Sequence, residues 1–162
     1  MLLKLIECNV IPEKREAFSE GQKMWKELHN VPGFVAQIGG WSRSNYNKAY
    51  ILAFWLEQNS YENFMDHVHD HLFVKTRQDE TYSSIKVSLY ETTKSFMLQE
   101  HMPYLALTNS FSQSDCTCSF VAKNTSNSNH VLKGFFLQDL DRVKNHTMIQ
   151  LEKEWTVLKE QK

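Results

Sequence analysis

The sequence predicts an α+β fold: a βαββαβ unit over residues 1–94, then a small, mainly β extension over 95–162. Three observations carry this. Apolar runs of strand length alternate with segments whose apolar residues recur at helical steps. Two of the strands are separated by a short polar turn and so form an antiparallel hairpin. Beyond residue 103 the chain reads as short apolar runs divided by polar loops.

Residues 2–10 (LLKLIECNV) form the first strand, apolar on both faces and therefore covered on both. Pro12 suits a first helical position, and Glu13 and Glu16 favour the positive end of the helix dipole. Ala17, Phe18, Gly21, Met24, Trp25 and Leu28 then make one apolar stripe, which Asn30 and Val31-Pro32-Gly33 terminate. The hairpin runs from Phe34–Ser42 through Ser44–Asn47 to Lys48–Leu56. Asn59 and Glu62 have capping-box spacing, and a second helix follows with Tyr61, Phe64, Met65, Val68 and Leu72 on one face. It ends between Phe73 and Gln78, and Ser84–Thr93 is the fourth strand. This order is the split βαβ, or ferredoxin-like, arrangement: one four-stranded antiparallel sheet with both helices on one face.

The central strands are apolar on both sides, Ile51, Ala53 and Trp55 opposing Tyr50, Leu52 and Phe54. The face without helices would be a large exposed apolar patch on a single chain. Pairing with a second copy is the favoured remedy, giving a homodimer through the sheet face; cover by residues 95–162 is the alternative. In that tail, 95–103 reads as a linker. Tyr104–Phe111, Thr117–Lys123 and Val131–Leu140 read as strands. In Met148–Leu158, Ile149, Leu151, Trp155 and Val157 fit strand alternation while Met148, Leu151, Trp155 and Leu158 fit helical steps, and the strand is favoured because it could form a hairpin across Val143–His146. Gly33-Phe34-Val35-Ala36-Gln37 is echoed by Gly134-Phe135-Phe136-Leu137-Gln138, with Trp55 and Trp155 following at nearly equal intervals. A degenerate second hairpin would produce such an echo, and so would chance.

Composition narrows the function classes. Apolar residues make up 41% and charged residues 23%, as in a packed globular domain. The net charge of −1 is spread without a basic stripe, so no nucleic-acid partner is expected. No apolar run reaches the roughly 18 residues of a membrane helix, and the N-terminus does not read as a signal peptide. Three cysteines fit a reducing compartment better than a disulfide scaffold. The expectation is a soluble, cytoplasmic protein.

The opening strand, the Pro12-Glu13-Lys14 helix start, Val31-Pro32-Gly33-Phe34 and above all AYILAFWLEQNSYENFM carry a family resemblance. The first 93 residues resemble the dimeric α+β barrel superfamily, and within it the antibiotic-biosynthesis-monooxygenase-like domains. The resemblance implies a pocket between sheet and helices. Some members oxidise aromatic polyketides or quinols there without metal or flavin. Others degrade haem through an Asn on the first strand and a Trp and a His on the second helix. Those positions fall on Glu7, near Phe64 and near Arg77 in this sequence, which disfavours haem degradation. The implied function is a cofactor-independent, monooxygenase-like enzyme acting on a small hydrophobic, aromatic or quinone-like compound. The alternative is a non-catalytic ligand-binding or regulatory interaction module.

The sharpest local motif is His67-Val68-His69-Asp70-His71. On one continuous helix, His67 and His71 share a face while His69 and Asp70 point elsewhere, so His67 or His71 is the expected catalytic base. That spacing suits a divalent metal too, but no third ligand is indicated and none is assigned. Glu7, a carboxylate on an apolar strand, and Asn9 are the expected polar substrate contacts, with Trp55 and Phe64 as aromatic ones. Cys116-Thr117-Cys118 is too short and isolated for a zinc motif.

Overall fold

The computed structural model describes residues 1–92, 98–99, 101–109, 118–140 and 146–159. The first strand, β1 (Leu2–Val10), is flanked on both sides by neighbours and buried on both faces, as its two-sided apolar pattern requires. Pro12–Lys14 forms a single 3-10 turn leading into α1 (Arg15–Lys23) and a further 3-10 run, Met24–Asn30. The hairpin is β2 (Phe34–Ser42) and β3 (Lys48–Trp55). Then come α2 (Gln58–His67), α3 (His69–Thr76) and β4 (Tyr82–Thr92). Across the sheet these strands run β4-β1-β3-β2.

Two local expectations need correction. Asn59 does not cap α2; the helix begins at Gln58 after an extended Glu57 with no side-chain cap, and Gln58 Nε2 donates to Glu62 Oε1 at 2.6 Å instead. The single second helix is two helices, divided at Val68 (φ −124°, ψ −39°). That break resets which residues face the sheet.

The tail is mainly β, with β5 (Tyr104–Thr108), β6 (Phe120–Asn124), β7 (Val131–Leu137), β8 (Thr147–Leu151) and the short β9 (Val157–Leu158). Its pairing differs from the expected hairpin. The β7 strand forms its hairpin with β6, and β5 lies between β7 and β8. Met148–Leu158 is not one strand, because a 3-10 turn at Lys153–Trp155 separates β8 from β9.

Two seams join tail to front half. Tyr90 to Thr92 of β4 pair with β6, and Gly40 to Ser42 of β2 pair with β8. With β2 already on β3, the sheet closes on itself into an eight-stranded antiparallel barrel, with β9 added alongside β2. At the second seam a Cβ on Gly40 would strike the Gln150 carbonyl, so only glycine lets the strands meet.

The tail repeats the front half's strand order. Read from β2, the front half runs second, third, first, fourth; β6-β7-β5-β8 runs likewise. The Gly-Phe echo does not follow this correspondence: Gly33 precedes the second strand of its half, whereas Gly134 lies within the third strand of the other.

The barrel interior is the main core. Leu3, Leu5, Ile38, Leu52 and Phe54 from the front half pack with Leu105, Phe120 and Ile149 from the tail. Among the described residues, the apolar face assigned in sequence to a second copy packs against the tail of the same chain. The helices pack on the opposite, outer face. There the tail contributes once more: Trp155 is 1% exposed, its ring lies against Phe18 and Trp41, and its Nε1 donates to Ser19 Oγ at 3.1 Å.

Candidate functional site

Strand alternation decides what the helices cover. Leu2, Lys4, Ile6 and Cys8 of β1 face outward to the helices, while Leu3 and Leu5 face the barrel. In register, Lys4 lies opposite Ala53, and Ala53 lies opposite Gln37. The row Lys4–Ala53–Gln37 thus has a methyl group at its centre and long polar side chains on either side. The small residue leaves room, and a cavity of about 480 Å³ stands above it. Trp25, Trp55, Tyr61, Phe64 and Phe73 are among its aromatic lining residues. It meets solvent near Ile85 and Val87, which line it yet are 46% and 47% exposed.

The polar groups on this wall fall into two sets. Trp25, Gln78, Gln22 and the Phe18 carbonyl satisfy one another: Trp25 Nε1 donates to Gln78 Oε1 at 2.8 Å, and Gln78 Nε2 donates to Phe18 O and Gln22 Oε1. Lys4, Gln37 and Trp55 are not satisfied in this way. Lys4 is 8% exposed, and its Nζ has Met65 Sδ at 3.8 Å and the Tyr61 ring at 5.2 Å. Burial pushes its ammonium down to about 8. Gln37 Nε2 and Trp55 Nε1 are buried donors with no hydrogen-bond partner among the described residues. Cys8 also lines the cavity, and burial pushes its thiol up to about 12.

Trp55 and Phe64 line the cavity, their rings 4.9 Å apart. The structure does not bring the other expected residues there. Glu7 shares the barrel-side parity of Leu3 and Leu5, and its carboxylate pairs with Lys48 (2.9 Å) and Lys86 (3.6 Å). Asn9 is exposed and donates to Ser84 Oγ at 2.7 Å. His67 is exposed at the end of α2, with Nδ1 3.0 Å from Asn63 O, and His71 is exposed on α3. The break at Val68 turns His69 inward instead. Its ring stacks on Phe73 (5.6 Å, 13°), meets Phe64 edge-on, and lines the cavity. Its Nδ1 lies 2.9 Å from Asp70 Oδ1. A neutral ring that donates from Nδ1 keeps Nε2 as the proton acceptor.

Sequence reasoning therefore missed Lys4, Gln37 and His69. The signal for Lys4 was present: it occupies the same parity as Leu2, Ile6 and Cys8 in a strand apolar on both faces. No such signal marked Gln37 or the helix break. Cys118 is half-buried, while Cys116 and Thr117 lie outside the described residues. Among the described residues no group of three His, Cys, Asp or Glu is placed to hold a metal ion, and no helix is long and apolar enough to cross a membrane.

Residues 2–90 match the family model for a domain of unknown function, DUF4937. The chain belongs to that family. The DUF4937 region contains all of β1 to α3 and most of β4, and so every lining residue of the cavity. The uncharacterized protein YdbC of Bacillus subtilis (strain 168) is 33% identical over 99 residues, 60% of this chain and 83% of that protein. Two crystal structures align over nearly the whole DUF4937 chain. A monooxygenase-like protein of Lactobacillus acidophilus NCFM does so at TM-score 0.61 and 12% identity, over 97% of this chain and 95% of its own. One from Fusobacterium nucleatum does so at 0.63 and 8%, over 93% and 91%. An antibiotic-biosynthesis-monooxygenase-like protein of Nitrosomonas europaea aligns over 58% of this chain and 100% of its own, at TM-score 0.51 and 17% identity. At such identities the likeness establishes the fold alone, the architecture that these antibiotic-biosynthesis-monooxygenase-like structures share.

Proposed function

We propose that this DUF4937 protein binds a small aromatic or quinone-like compound between helices and sheet, and acts on it as a cofactor-independent, monooxygenase-like enzyme. The observation that carries the reading is the open aromatic cavity of about 480 Å³, with His69 in its wall and the exposed Asp70 carboxylate, outside the wall, 2.9 Å from the His69 Nδ1. Its volume lies in the range of small-molecule pockets. His69 takes the role that sequence spacing gave to His67 and His71. It removes a proton from an electron-rich carbon or hydroxyl acid, and the resulting anion gives its electrons to dioxygen. For an anthrone-type methylene, one oxygen atom becomes the new carbonyl and the other leaves as water with the two methylene hydrogens.

The test is protein-dependent oxygen uptake with an anthrone and with a quinol, alongside quenching of tryptophan fluorescence to follow binding. His69→Ala should lower uptake about 100-fold or more, while His67→Ala and His71→Ala leave it unchanged. Binding without uptake would support the non-catalytic ligand-binding module. Absence of both would overturn the cavity as a site.

A further inference from the structure

The geometry points to an anionic ligand: an aromatic compound carrying a carboxylate, or ionised at a phenolic or enolic oxygen, with its charged oxygen held between Lys4 Nζ and Gln37 Nε2 on the cavity floor. The inference rests on the cavity reading above and names the class of molecule the cavity takes.

The cavity has an excess of donors. Lys4, Gln37 and Trp55 all line it, and their exposures are 8%, 4% and 1%. Lysine and indole nitrogens offer only donors, and the amide nitrogen of Gln37 adds another. None of the three finds an oxygen acceptor among the described residues: Lys4 Nζ has a thioether and a ring face, and the other two nitrogens are unpartnered. None of the described residues lining the cavity is Asp or Glu. A buried ammonium with no anion, and buried N–H groups with no acceptor, each cost free energy that an incoming oxygen would recover.

Position favours a shared ligand. Lys4 and Gln37 belong to one cross-strand row, with Ala53 between them. Their backbones stand about 10 Å apart, two strand spacings, so a ligand oxygen above Ala53 lies within reach of both long side chains. Trp55 is two residues along the same strand on the same face. The aromatic body is selected by the rings around this floor, among them Trp55, Tyr61 and Phe64. Burial has already pushed the Lys4 ammonium to about 8, so an anion alongside it would restore the charged form and raise that value.

Matched probes test this by calorimetry on the full chain at pH 7. The pair 2-naphthoate and 2-naphthamide differ in charge and hardly in shape. The acid should bind about tenfold or more tighter than the amide, as expected for charge-assisted hydrogen bonding. In Lys4→Met that ratio should fall to about twofold or less, with Lys4→Arg restoring part of it. Affinity for the acid in the parent protein should also decline as pH rises past about 8, while affinity for the amide stays flat. Equal binding of acid and amide would overturn the anion assignment and leave the cavity reading standing. Failure of both to bind would remove the cavity reading itself. Decanoate binding more tightly than 2-naphthoate would overturn the aromatic assignment.

Discussion

At the scale of single residues, Lys4 gives the clearest pH signature. Its ammonium titrates near 8 in the folded chain against 10.5 in the open chain, because burial disfavours the charge. Below about 8 both states hold the proton, and the folded state bears the cost of a buried charge. Between about 8 and 10.5 the unfolded chain binds more protons than the folded one, so stability rises with pH across that window. The gain is about 3 kcal/mol when complete. Chemical denaturation at pH 7 and pH 10 should show Lys4→Met more stable than the parent at pH 7, with the difference shrinking at pH 10. Cys8 offers a second check: a thiol 2% exposed and held near 12 should resist iodoacetamide at pH 8 in the folded protein and react on unfolding. Neither shift is visible in composition. Both follow from parity in β1, where alternate residues face the helices and the barrel, and that parity was legible. Glu7 stands on the same strand but on its other face. Its face was assigned correctly, but the cavity lies on the other one.

At the scale of elements, the sequence was most legible where one apolar pattern had one solution. The first three strands run 2–10, 34–42 and 48–55, close to the spans read from alternation and from the polar turn at 44–47. The second helix was less legible because its apolar spacing continues through Val68, whereas the backbone does not. Helical phase carried across that break assigned the histidines to the wrong faces. Arg77 has a left-handed backbone (φ 51°) directly after α3, a position that favours glycine. Arg77→Gly should therefore leave thermal stability unchanged or raise it by up to about 1 kcal/mol. Trp155 was legible as apolar but not as part of the helix layer. It reaches that layer because a 3-10 turn interrupts what alternation suggests is one strand. Trp155→Ala should cost about 3–5 kcal/mol in chemical denaturation, a large loss for a residue outside the βαββαβ unit.

At the scale of the whole molecule, the sheet's two-sided apolar character was legible, and so was its need for a cover. The choice between a second copy and the chain's own tail was not, because both bury the same side chains. The tail's short runs gave strands, but the one pairing read from them, β7 with β8, is not the one formed, since register across a barrel is set by long-range contacts. The front half alone, residues 1–92, would expose Leu3, Leu5, Leu52 and Phe54, which the full chain buries. A fragment of that length should associate, dimerising if two sheets replace the missing half. Light scattering should find the full chain monomeric at the same concentration. A full chain that dimerises would mean that a surface other than the barrel face joins two copies.

The two seams that close the barrel have one further consequence. In a barrel assembled from separate chains, closure is bimolecular and weakens on dilution. Here the two halves belong to one chain, so closure is intramolecular and dilution does not weaken it. The sheet beneath Lys4, Ala53 and Gln37 is therefore held in shape at any abundance of the protein. On the ligand-binding reading proposed above, occupancy of the cavity would follow the concentration of ligand and not that of the protein.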